Sequence, residues 1–108
     1  MKKNTCSDVL EEYSRRLKAC GHPLRLQLLF AIEKGENACV KELWKSLKQV
    51  QPVVSQHLAI LKEQGIVKCK TVRNKRVYTI TDPFIKEIIR LLSRDEALKG
   101  ASFTQEKE

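Results

Sequence analysis

Residues 39–67, CVKELWKSLKQVQPVVSQHLAILKEQGIV, constrain this chain more than any other stretch. They hold two short amphipathic patterns separated by a polar break of turn length, Lys48-Gln49-Val50. In the first pattern Val40, Leu43, Trp44 and Leu47 recur at i, i+3, i+4 and i+7, one face of a helix. The second opens at Gln51-Pro52, where proline loses nothing because the first N–H groups of a helix have no intrahelical partner. It closes before Gly65, a residue able to take the left-handed conformation of a helix C-terminus.

On a helical wheel, Val54, Leu58 and Leu61 of the second pattern form one stripe, with His57 on its edge. Gln56, Ala59 and Glu63 fall opposite, flanked by Val53, Ser55 and Ile60. Such a face of small side chains and amides can enter a DNA major groove, and no bulky charge obstructs it before Lys62. Glutamine can bond adenine N6 and N7 together, and serine can bond either base type. Gln51, Val53, Ser55 and Gln56 are therefore the expected base-reading residues, with His57 in an orienting or phosphate role. An ordinary helical hairpin with a solvated polar face would show the same periodicity.

Charge separates the two readings. The net charge is +8, and residues 41–76 hold nine Lys or Arg against two acids. Residues 1–40 sum to +2 and 77–108 to −1, so the excess is concentrated around the helical pair and the segment after it. A localised basic surface beside a candidate recognition helix is the electrostatic footprint of a nucleic-acid binder.

After Gly65 the period changes from 3.6 to 2. Val67, Cys69 and Thr71 alternate with Lys68, Lys70 and Val72; Arg73-Asn74-Lys75 is expected to turn; Arg76, Tyr78 and Ile80 alternate with Val77 and Thr79 on the return. This is a short hairpin with a basic tip, a wing, whose Lys68, Lys70, Arg73, Lys75 and Arg76 are expected to serve phosphates. Upstream, a first helix is expected over about 5–20, with Thr5 and Asp8 at capping-box spacing and Val9, Leu10, Tyr13 and Leu17 as its stripe. Gly21-His22-Pro23 breaks it, and Pro23–Lys34 makes a second helix, apolar on most sides and so central. Asp82-Pro83 opens the last helix, expected to about Leu98, with Phe84, Ile85, Ile88, Ile89, Leu91 and Leu92 too many to fit one small core. With the first helix it is the candidate dimer interface. The expectation is thus one mainly α domain with a small β-hairpin, a winged helix-turn-helix of order α-α-α-α-β-β-α: helix-turn-helix about 39–65, wing about 66–81, and a homodimer formed through helices about 5–20 and 83–98.

With 108 residues the chain is one small domain, for which dimerisation supplements a limited core. No run approaches the length of a membrane span, and the lysine-rich start leads into no apolar signal segment, so a cytoplasmic protein is expected. Enzyme chemistry has no foothold: there is no glycine-rich phosphate loop, and His22 and His57 lack evident catalytic partners.

The element order resembles the ArsR/SmtB family of winged-helix repressors. Three segments carry the resemblance: Cys20-Gly21-His22-Pro23-Leu24-Arg25-Leu26; Gln51-Pro52-Val53-Val54-Ser55-Gln56-His57-Leu58 with Leu61 and Gly65-Ile66-Val67; and Val77-Tyr78 with Thr81-Asp82. It spans roughly residues 17–92. It implies a homodimer that binds an inverted-repeat DNA operator, represses transcription, and leaves the DNA when an inducer binds cysteines or other ligands. No obligatory cofactor is implied beyond such an inducer. At the start of the third helix the family's cysteine pair survives only as Cys39, with Lys41 in place of the second. The family's interfacial zinc site keeps Asp82 but has Phe84, Asp95 and Leu98 where its other ligands stand, so that site is absent. Phe30 occupies the place of the first cysteine of the sulfide-sensing branch.

Cys6, Cys20, Cys39 and Cys69 are widely spaced without a CxxC pair. In a reducing compartment they read as thiols or ligands rather than a disulfide framework. Cys39-Val40-Lys41-Glu42 has capping-box spacing with sulfur in the capping place, and a helix N-terminus favours the thiolate that binds soft metals. Cys69 reads as strand filler. If residues 6–20 form one helix, Cys6 and Cys20 stand about 21 Å apart, too far for one ion within a protomer. The resemblance implies that an N-terminal arm meets the third helix of the partner, pairing Cys6 with Cys39; Cys20 is a third possibility. Three thiolates suit As(III), Cd(II) or Hg(II). The reading that follows is a repressor released by a thiophilic metal or metalloid. One alternative is a thiol-redox or reactive-sulfur sensor of the same fold; another, of a different class, is a winged-helix adaptor that never touches DNA.

Overall fold

A computed structural model of the chain describes residues 5–35, 43, 45 and 47–95. Its elements are α1 (Cys6–Cys20), α2 (Pro23–Lys34), α3 (Gln51–Glu63), β1 (Val67–Val72), β2 (Lys75–Ile80) and α4 (Pro83–Ser93). The helix expected ahead of α3 lies largely outside the described residues, Cys39 and Trp44 included. Leu43 and Lys45 have helical backbone, and the Leu47 and Lys48 N–H groups donate back to their carbonyls. Lys48 then takes a left-handed φ of 54°, which ends the helical path and turns the chain toward α3.

Local chemistry sets most boundaries. Thr5 caps α1, its hydroxyl accepting from the Asp8 N–H at 3.0 Å. His22 caps α2, its Nδ1 accepting from the Leu24 N–H at 3.1 Å, and Pro23 enters the first turn where no donor is missed. Past α3, the Gly65 N–H donates to the Lys62 carbonyl and the Ile66 N–H to the Leu61 carbonyl, with Gly65 at φ 77°. That is the Schellman arrangement, and it drives Ile66 into the core as the strand begins. Asp82 caps α4 through both the Phe84 and Ile85 N–H groups.

The core gathers around α2, whose Leu28, Leu29, Phe30 and Ile32 are all buried and which touches α1, α3, β2 and α4. Ala19, Cys20, Leu43, Leu47, Val54, Leu58, Leu61, Ile66, Val67, Tyr78, Ile80, Ile85 and Ile89 pack with them. Cutting Leu28 or Leu58, both fully buried, to alanine removes about 2–5 kcal/mol by lost transfer energy and the cavity left behind.

Two sequence expectations need correction. The wing turn consists of Arg73 and Asn74 only, at φ 51° and 69°, while Lys75 already pairs with Val72. Both central residues at positive φ make a type I′ turn, whose twist matches that of the paired strands. The last helix closes early: Arg94 is its C-cap, and the expected end at about Leu98 lies outside the described residues.

Candidate nucleic-acid interface

Helix α3 rests on the core through Val54, Leu58 and Leu61, so Gln51, Ser55, Gln56, Ala59 and Glu63 are exposed and Val53 and Ile60 half-buried. On one flank of that arc stands the wing. Gln51, Ser55, Ala59 and Lys62 line a groove of about 180 Å³ together with Arg76 and Tyr78 of β2. The four helical residues recur at i, i+4, i+8 and i+11, one ridge of the helix.

Strand register sorts the wing residues by face. Val67 pairs with Ile80, Cys69 with Tyr78 and Thr71 with Arg76, and these pairs share the face turned toward the core and α3. Lys68, Lys70 and Lys75 belong to the alternate set and stand on the opposite face, all exposed, with Arg73 at the tip. Of the five wing cations expected to serve phosphates, only Arg76 therefore joins the groove beside α3. Burial, then a hydrogen bond with Cys69, pushes the Tyr78 phenol above its ordinary range, so it stays a neutral donor. Ala59, Lys62 and Tyr78 were not singled out as site residues. The helical spacing from Gln51 held the signal for the first two; Tyr78 needed the strand's facing.

The other flank of α3 meets α2. His57 is half-buried; its Nδ1 accepts from Arg25 Nε at 3.2 Å, and its ring lies 4.6 Å from that of His22 at an interplanar angle of 38°. Burial, then His22 and Arg25, lowers its pKa below the ordinary imidazole value. His57 is neutral at physiological pH.

Of the cysteines expected to sense, Cys39 is outside the described residues. Cys6 is exposed in the first turn of α1, and Cys20 is buried at its far end. Burial pushes the Cys20 thiol up to about 11, so it is protonated at neutral pH. Cys69 is half-buried beside Tyr78. Among the described residues no three His, Cys, Asp or Glu side chains cluster as a metal site, and no helix is long and apolar enough to cross a membrane.

A helix presenting amides and small side chains, a hairpin wing beside it and basic residues around both define a winged helix-turn-helix DNA-binding protein. Comparison with known proteins gives the family: residues 22–68 match the family model for bacterial regulatory proteins of the arsR family. The HTH-type transcriptional regulator MJ1325 of Methanocaldococcus jannaschii is 38% identical over 77% of this chain and 97% of its own. The crystal structure of the transcriptional repressor PagR of Bacillus anthracis superposes with a TM-score of 0.71 at 31% identity, over 78% of this chain and 95% of that one. Reduced HlyU from Vibrio cholerae superposes with a TM-score of 0.70 at 34% identity, over 79% and 93%; that protein is described as a transcriptional activator. The chain belongs to the arsR family, as a DNA-binding transcriptional regulator and not an enzyme. That membership sets aside the adaptor alternative.

Proposed function

We propose that this regulator is a homodimeric repressor that holds an inverted-repeat operator and releases it when a thiophilic metal or metalloid, As(III) or Cd(II) by chemistry, binds cysteine thiolates. The observation that carries the DNA half is the exposed arc of α3 beside the groove it shares with Arg76 and Tyr78. In this reading Gln51, Val53, Ser55 and Gln56 meet bases, while His57, Lys68, Lys70, Arg73, Lys75 and Arg76 serve phosphates or orientation. The split of the wing cations over two faces suits a hairpin inserted between phosphate strands, with Arg76 on the α3 side and Lys68, Lys70 and Lys75 on the other.

Dimerisation is supported by apolar side chains that one protomer leaves in water: Val9, Leu10 and Leu17 on α1 and Leu91 on α4 are exposed. A single small domain gains by covering such surface with a second copy.

For sensing, Cys39 pairs first with Cys6, which is exposed and able to meet the partner protomer. Cys20 is the weaker ligand, because a metal must first displace a proton held to about pH 11 in a buried site. A thiol-redox mechanism is the second reading, favoured by the likeness to HlyU, a regulator known in a reduced form.

One titration separates the two readings. Purified protein bound to its selected operator is challenged with As(III), Cd(II), peroxide and polysulfide, as wild type and as Cys39→Ser. Release by As(III) or Cd(II) that vanishes in Cys39→Ser supports metal sensing; release only by peroxide or polysulfide supports the thiol mechanism. Cys39→Ser protein that still leaves the operator at the wild-type inducer concentration removes Cys39 from either scheme.

A further inference from the structure

Arg25 spans three helices. From α2 it donates through Nη1 to the Ala19 carbonyl in the last turn of α1, at 2.9 Å, and through Nε to His57 Nδ1 on α3, at 3.2 Å. A guanidinium has only donors, so the imidazole nitrogen facing it must be the bare one. In the neutral ring the proton then sits on Nε2, on the edge turned away from Arg25. His22 stacks against the same ring and is itself fixed, because its Nδ1 accepts the Leu24 N–H as the cap of α2. Among the described residues, nothing accepts from His57 Nε2.

We propose that Arg25 is a positioning residue for DNA binding: it sets the tautomer and ring orientation of His57 so that the Nε2–H is presented to a DNA phosphate. The inference rests on the placement of α3 against DNA proposed above. Arg25 itself stays with Ala19 and His57 and never reaches the DNA. A hydrogen bond from a neutral imidazole to a phosphate oxygen is charge-assisted, and it forms only if the proton is on the correct nitrogen before the helix arrives. Without Arg25 the ring would divide between two tautomers and two orientations, and DNA binding would have to select one of them. His57 lies at the edge of the exposed arc of α3, so this contact adds affinity on any duplex rather than choice of base.

A double-mutant cycle with a spectroscopic control tests this. Glutamine places an amide nitrogen near the imidazole Nε2 position and has no tautomer to set. Affinities for one duplex recovered from a random pool by wild-type protein are measured for wild type, Arg25→Gln, His57→Gln and the double variant. Arg25→Gln should weaken binding about tenfold in the His57 background, the scale of one charge-assisted hydrogen bond, and less than about twofold in the His57→Gln background. Equal losses in both backgrounds would make Arg25 a brace of the fold and overturn the proposal. Long-range proton–nitrogen NMR of free wild-type protein reads the tautomer directly and needs no variant to fold. A bare Nδ1 is required, and a protonated Nδ1 in neutral His57 sinks the idea. Failure of the α3 reading shows elsewhere, as Gln56→Ala protein that binds selected and random duplex like wild type.

Discussion

Arg16 on α1 and Asp82 at the start of α4 form a nearly buried ion pair, Nη1 to Oδ2 at 2.6 Å, with their side chains 19% and 5% exposed. Asp82 uses its other oxygen to cap α4 through Phe84 and Ile85, and the Arg16 guanidinium lies over the Tyr13 and Phe84 rings. One carboxylate therefore ends the wing, starts the last helix and anchors the first. Asp82, the one residue of the interfacial zinc site that the family resemblance retains, is here engaged by Arg16 and the helix cap.

Asp82→Ala should destabilise the fold by about 2–4 kcal/mol, since it leaves a half-buried guanidinium without its partner and removes a cap together. Asp82→Asn retains the capping oxygen and should lose less. Burial alone would raise the carboxyl's pKa, but Arg16 and the two backbone N–H groups outweigh it and hold it below the ordinary value. A depressed pKa stabilises the folded state above the unfolded value, 3.8, and that contribution fades as pH falls further. Thermal melts of wild type minus Asp82→Asn should differ by a constant amount at neutral pH and converge below pH 3.8. A difference that shrank already between pH 7 and 5 would contradict the assignment.

Gln56→Ala and Lys75→Ala should fail in different ways. Gln56 is exposed on the arc of α3, and its loss should weaken operator binding by about 1–3 kcal/mol and relax base choice. Lys75 sits next to the wing tip, and its loss should weaken selected and random duplexes alike, with the salt slope flatter by about one unit. Binding isotherms on both duplexes across a salt series check the pair; a Lys75→Ala effect confined to the operator would place that lysine on a base instead.

The interface variants follow from exposure. Ile88 and Leu92 pack partly against the protomer's own core, so a charge there would disturb folding as well as association. Leu10 and Leu91 are 60% and 56% exposed. Leu10→Asp or Leu91→Asp should therefore leave the helical circular dichroism of the protomer nearly unchanged while shifting sedimentation from dimer to monomer and lowering the melting temperature by no more than the lost association, because a carboxylate buried at an apolar interface has no partner there. Wild-type protein sedimenting as a monomer at micromolar concentration would overturn the dimer.

Cysteine labelling should follow burial. With iodoacetamide at neutral pH, Cys6 should react early and Cys20 last, since Cys20 is buried and ionises only near 11. Mass spectrometry of quenched digests gives the order. Cys20 labelling as fast as Cys6 would mean that the junction of α1 and α2 opens readily, and would strengthen Cys20 as the third sensing ligand.

Where the helices begin and how α3 ends was legible in the sequence, because those signals act within four or five residues. Thr5, Pro23, Pro52, Gly65 and Asp82-Pro83 each satisfy or release backbone groups of their own turn, so a linear reading finds them. The buried stripe of α3 and the basic segment around it were legible for the same reason, being periodicities along one chain. What the tertiary structure alone decided is which side chains meet. Register assigned Arg76 and Tyr78 to α3 and turned Lys68, Lys70 and Lys75 away; packing brought Arg25 to His57 across 32 positions and Arg16 to Asp82 across 66. No local propensity encodes such pairs. Each exists because the core around α2 fixes the distance and angle between helices, and a hydrogen bond tolerates only a few tenths of an ångström in that distance.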